Sequence, residues 1–95
     1  MAAYCVVRVH VTDPERYENY KKLSPGAVAA FGGTFLARGG ATETVEGEDE
    51  PRRVVIVEFP DFATAQAFAS SPEYGEARAA REGAADMQMV IVDGI

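Results

Sequence analysis

Residues 4–15 read Tyr4-Cys5-Val6-Val7-Arg8-Val9-His10-Val11-Thr12-Asp13-Pro14-Glu15. The first eight are largely β-branched and alternate. Cys5, Val7, Val9 and Val11 fall on one face, and Tyr4, Val6, Arg8 and His10 on the other. One face is wholly apolar and the other is mixed. Asp13 ahead of Pro14 supplies an N-cap with proline in the first turn, and Thr12 and Glu15 have capping-box spacing. A strand that passes directly into a capped helix begins a β-α unit.

The helix is predicted to run to about Phe31, with Tyr17, Tyr20, Leu23, Ala27 and Phe31 recurring at three- and four-residue steps. Ser24-Pro25-Gly26 should kink it or restart it, because proline has no N–H to give the preceding turn. Gly32-Gly33 ends it. Thr34 to Arg38 reads as a strand, Gly39-Gly40 as a bend, and Ala41 to Val45 as the strand's continuation. Glu46-Gly47-Glu48-Asp49-Glu50-Pro51 is turn chemistry and predicts a solvated hairpin tip. Arg52 to Phe59 is the strongest strand. Asp61 caps a helix with Phe62, Ala65, Phe68 and Ala69 on one face, and Ser71-Pro72 restarts it through about Ala84. Asp86 to Asp93 is the last strand. The order is that of an α+β, ferredoxin-like βαββαβ fold: a single domain over residues 1–95, its antiparallel sheet carrying the helices on one face.

Composition narrows the function classes. The 95 residues are 47% hydrophobic and 25% charged, as in an ordinary globular domain. Fifteen acidic against nine basic residues, a net charge of −6, argue against nucleic-acid and membrane-surface partners. One cysteine and one histidine cannot build a disulfide, a thiolate zinc site or any site that needs two histidines. No metal and no cofactor are expected. Cys5 alternates into the core and reads as a small hydrophobe. Val54 to Val57 is far short of the ~20 apolar residues of a membrane span, and Met1 to Val9 has no signal-peptide pattern. A cytoplasmic protein is expected.

A sheet with helices on one side leaves the other to water, and that face should be polar. Here neither face is. The last strand has Met87, Met89 and Ile91 on one side and Val90 and Val92 on the other; the third has Val54 and Ile56 opposite Val55, Val57 and Phe59. A homodimer joined through the open sheet face removes this hazard. A monomer covering that face with its own loops asks for more spare chain than this length leaves.

Asp13-Pro14-Glu15, Tyr17 and Tyr20, Phe31-Gly32-Gly33, Arg38-Gly39-Gly40, Glu46-Gly47, Glu58-Phe59-Pro60, Ser71-Pro72-Glu73-Tyr74 and Arg81 form an ordered series. From about residue 4 to residue 94 it resembles the family called domain of unknown function 1330. The resemblance implies the dimeric α/β-barrel superfamily, which includes cofactor-free quinone-forming monooxygenases, haem-degrading enzymes and lactone isomerases. It implies a fold and no particular reaction. Haem-degrading members use an Asn, Trp and His set; this chain has no tryptophan, and Asn19 is its sole asparagine.

The candidate catalytic residues are Arg38, His10 and Glu58. Arg38 would hold an anionic or enolate oxygen, and His10 or Glu58 would move a proton. Tyr20 and Tyr74 would bind a phenolic or carbonyl oxygen, with Arg81 as a second anion anchor. The competing reading makes Arg8, His10 and Glu58 rim ion pairs at a dimer seam, and Tyr20 and Tyr74 core residues with a wet hydroxyl. Two functions follow. One is a small cofactor-free enzyme, monooxygenase- or isomerase-like, acting on a compact aromatic or carbonyl compound. The other is a non-catalytic small-ligand-binding or stress-associated dimeric module.

Overall fold

The structure, a computed structural model, describes residues 1–95. β1 (Ala3–Val11) leads into α1 (Pro14–Ala30); β2 (Thr34–Arg38) and β3 (Arg53–Phe59) follow. Then come α2 (Phe62–Ala69), α3 (Pro72–Ala80) and β4 (Ala85–Asp93). The four strands form one open antiparallel sheet in the order β2-β3-β1-β4, the ferredoxin-like arrangement. No closed barrel exists within one chain.

Register decides what each face carries. Cys5 lies between Val57 and Ile91, Val7 between Val55 and Met89, and Val9 between Arg53 and Met87. Residues directly opposite across an antiparallel pair share a face. These side chains therefore form the floor on which the helices sit, and Cys5, Val7, Val9, Val55, Val57 and Phe59 are all buried. Phe68 stacks between Phe59 (centroids 4.9 Å) and Tyr74 (4.7 Å) and closes the core from above. The opposite face presents Tyr4, Val6, Val54, Ile56, Val90 and Val92, none of them buried within this chain.

α1 is capped as expected: the Asp13 carboxylate accepts from the Arg16 N–H at 3.1 Å. Its buried stripe is Tyr17, Tyr20, Ser24, Ala27 and Val28. Leu23, expected in that stripe, is 44% exposed, because one residue of helix turns it about 100° away from Ser24. The helix neither stops nor restarts at Pro25 but continues to Ala30. Gly32, at φ 71°, then turns the chain out in the left-handed conformation that glycine tolerates.

Two expectations around β2 and α3 need correction. Ala41 to Val45 is not strand. β2 ends at Arg38, where Gly39 (φ 74°) bends the chain while donating its N–H to the Val54 carbonyl at 2.9 Å. The loop beyond is tied to β1 instead of to a strand partner. Glu50 takes Arg8 at 3.1 Å and Arg52 at 2.9 Å, and its N–H donates to Thr44 Oγ1 at 3.0 Å. α3 stops at Ala80 rather than Ala84. The Ala84 carbonyl instead accepts the N–H groups of Thr12 (2.8 Å) and Asp13 (3.0 Å), which fastens the α1 entry to the start of β4.

Ser71 joins α2 to α3. Its Oγ donates to the Phe68 carbonyl at 2.7 Å and accepts from the Tyr74 N–H at 3.1 Å, so it caps α3 and sets Tyr74 inward. Ser71→Ala removes both bonds in a buried setting and should lower unfolding stability by about 1–2 kcal/mol. In urea the midpoint should fall with the slope unchanged.

Candidate functional site

Between the helix-facing side of the sheet and α1 lies a cavity of about 40 Å³, and 12 of its 16 lining residues are hydrophobic. Val7, Val55, Val57 and Met89 form its floor, and Tyr17, Tyr20, Ser24 and Val28 enter from α1. Tyr74 comes from α3 and Phe35 and Arg38 from β2; Arg53 comes from β3. The charged residues that line it are Lys21, Arg38 and Arg53, and no carboxylate does.

Arg38 reaches this side because β2 is irregular. Phe35 pairs with Val57, but the register shifts between Phe35 and Ala37, so that Arg38 pairs with Val55. Simple alternation from Phe35 would send Arg38 to the open face. The bulge instead brings both to the helix side, with the Arg38 guanidinium carbon 4.6 Å from the Phe35 ring centroid. A second contact fixes its far end. Pro25 has no N–H for the Lys21 carbonyl four residues earlier, and Arg38 Nη2 donates to that carbonyl at 3.3 Å. The group freed by proline is the group that holds the arginine.

The tyrosines form the inner wall. Tyr17 and Tyr20 stack at 5.2 Å, and Tyr20 meets Tyr74 edge-on at 6.2 Å with the two hydroxyl oxygens 3.0 Å apart. With Tyr74 donating to Met87 Sδ at 3.8 Å, Tyr20 is the donor to Tyr74. Burial pushes the ionisation of Tyr20 far up, and the neighbouring Tyr74 adds to it. Burial also raises Tyr17, against the opposing charges of Arg53, Arg81 and Arg38. Both hydroxyls are donors at neutral pH. Arg81 caps the end of α3 with its guanidinium carbon 5.5 Å from the Tyr20 ring, outside the cavity wall. Its Nε is buried without a hydrogen-bond partner.

Of the six residues singled out in the sequence, the structure gathers Arg38, Tyr20 and Tyr74 at one cavity and sets Arg81 behind Tyr20. It does not bring His10 or Glu58 there. Both lie on the open face, since His10 pairs with Asp86 and Glu58 with Tyr4 and Thr34. They are also far from each other: six residues of strand separate their positions along β1, about 20 Å. Tyr17, Lys21 and Arg53 belong to the site but were not singled out. Arg53 was legible, because alternation back from Val55 places it on the helix side. Tyr17 was visible only as a member of an apolar stripe.

No protein of curated function matches the chain. Among solved structures, a protein of unknown function from Rhodopseudomonas palustris is 23% identical with a TM-score of 0.73, covering 99% of this chain and 82% of that one. A dimeric ferredoxin-like protein of unknown function from Jannaschia sp. CCS1 is 16% identical, TM-score 0.72, covering 99% and 100%. A cofactor-independent oxygenase from Streptomyces nogalater is 13% identical, TM-score 0.61, covering 99% and 93%. These likenesses show a shared fold. Residues 2–95 match the family described as domain of unknown function DUF1330, and the chain belongs to that family.

Proposed function

We propose that this protein is a small cofactor-free enzyme, monooxygenase- or isomerase-like, that takes a compact aromatic or carbonyl compound into the cavity under α1. The observation that carries the reading is Arg38, braced by Phe35 and the Lys21 carbonyl beside an apolar chamber with tyrosine hydroxyls in its wall. A guanidinium beside apolar walls stabilises an oxyanion far better than water does. Arg38 holds the enolate or phenolate oxygen of the substrate. Tyr20 and Tyr74 bind a phenolic or carbonyl oxygen, and Arg81 lends positive potential from behind Tyr20.

With His10 and Glu58 on the other face, no carboxylate or imidazole serves the cavity as a base. The substrate must therefore be acidic enough to ionise to water once its oxygen meets Arg38. In oxygenation such an anion is its own reductant: a CH₂ beside the carbonyl and one O₂ become a C=O and one water. The same anion, reprotonated at another carbon, gives isomerisation. The oxygenase from Streptomyces nogalater shares the fold, which supports this class of chemistry without assigning it.

The reading includes a homodimer joined through the open sheet faces. Val90 and Val92 are 44% and 48% exposed there, and the similar Jannaschia protein is dimeric. Pairing two such faces also places His10, Glu58 and Arg8 at the seam. No helix is long and apolar enough to cross a membrane. A cytoplasmic setting, where the free buried Cys5 stays reduced, completes the proposal.

A second reading, a non-catalytic ligand-binding module, is favoured by one observation: the Tyr20 and Tyr74 protons are already used in bonds within the protein. Oxygen uptake and product analysis with a panel of acidic phenols and 1,3-dicarbonyls separate the two. For an enzyme, Arg38→Ala should cost about 10²–10³ in turnover with the circular dichroism unchanged. Ligand binding by the wild type with no turnover would leave the module. Native mass spectrometry should show a wild-type species at twice the 10.2 kDa chain mass, and Val90→Asp should shift it to the monomer. A wild-type monomer would remove the interface. Titration at 295 nm should show Tyr20 still protonated where free tyrosine ionises, at about pH 10. Above that pH the unfolded chain loses the proton first, so stability should fall as pH rises towards the folded value.

A further inference from the structure

The cavity gathers positive charge on an acidic protein. Nine basic residues face fifteen acidic ones in the whole chain, yet three of the nine, Lys21, Arg38 and Arg53, line this one space. Of the three, only Lys21 is in an ion pair. Glu50 takes Arg8 and Arg52, and Glu18 takes Lys21. Arg38 and Arg53 are left facing an apolar chamber with no carboxylate against either.

Arg53 is the more constrained of the two. It pairs with Val9 on the helix-facing side of β3, and its guanidinium lies on the backbone of Gly39. A Cβ at residue 39 would come within 2.6 Å of the Arg53 guanidinium carbon, so only glycine leaves room for that pose. One terminal nitrogen donates to the Arg38 carbonyl at 3.5 Å, while Nε is buried and has no partner. The terminal N–H groups are the ones free to meet an acceptor in the cavity, since Nε is packed against Gly39. Arg53 is also the foremost positive charge acting on Tyr17, a neutral hydroxyl donor that enters the same cavity from α1. A planar N–H fork that shares a cavity with an O–H donor matches a carboxylate. The lining, 12 of 16 residues hydrophobic, suits an organic body better than a free inorganic anion.

Resting on the pocket reading above, we infer that the ligand carries a carboxylate in addition to its phenolic or enolic oxygen, and that Arg53 selects it. Arg38 then serves the reacting oxygen and Arg53, with Tyr17, the fixed charge. At about 40 Å³ the space is well below the roughly 150 Å³ of an apolar cavity that takes up benzene, so a ring enters it only as the walls yield.

The test is a titration of the full chain, followed by NMR, with 2-hydroxybenzoate, its neutral amide 2-hydroxybenzamide, phenol and inorganic phosphate. The acid should bind about tenfold or more tighter than the amide, and phosphate should not compete. Arg53→Gln should abolish the preference for the acid over the amide, and Arg53→Lys should restore part of it. Equal affinity for acid and amide in the wild type overturns the inference, as does a preference that survives Arg53→Gln. Phosphate displacing the acid overturns it too, in favour of a general anion site. If Arg53→Gln does not fold, Arg53→Lys decides instead: a weakened preference for the acid supports the inference, and one equal to the wild type overturns it. Binding of phenol and amide without preference for the acid sinks this inference alone; no binding by any aromatic probe sinks the pocket reading with it.

Discussion

β1 sits at the centre of the sheet, paired on both edges, and its strict alternation divides the molecule in two. Cys5, Val7 and Val9 go to the helices; Val6, Arg8 and His10 go to the other side. Because the strand period is two and both neighbours are locked in register, no side chain of β1 can change face without moving the whole sheet. The sheet is therefore a wall. His10 and Glu58 fall on the side away from Arg38 and the tyrosines.

Two departures from regular structure build the site on the helix side of that wall. The bulge in β2 carries Arg38 across to the face of Phe35. Pro25 leaves the Lys21 carbonyl without its helical donor, and Arg38 supplies one. Each irregularity alone would be a small defect, an unpaired residue in a ladder or an orphaned carbonyl in a helix. Together they satisfy each other and fix a guanidinium at the mouth of an apolar chamber. Gly39 contributes at the same corner, by ending β2 and by leaving the Arg53 guanidinium a place to lie.

The structural likenesses, between 13% and 23% identity for the three compared, show how little sequence this fold requires. An apolar face on each strand and one layer of capped helices suffice. What such a fold does is then set by side chains added at a few positions. In this chain those positions hold three tyrosines and two arginines around one space, which is why the functional reading rests on the cavity rather than on the architecture.

The βαββαβ order, the Asp13, Asp61 and Ser71 caps, the helix-facing set of β1 and the two-sided apolar sheet were all determined by the sequence. They depend on local periodicity and capping, which a linear reading sees directly. The fate of Ala41 to Val45 was not visible, because an extended segment becomes strand only if an edge is free to pair with it, and the Arg8–Glu50–Arg52 contacts draw that loop elsewhere. Nor was the division of the six polar candidates. Arg38 and His10 are equally plausible partners in one dimension. Their separation comes from a one-residue bulge that flips one side chain and a register that holds the other. Long-range pairing fixes both, and single residues do not encode it.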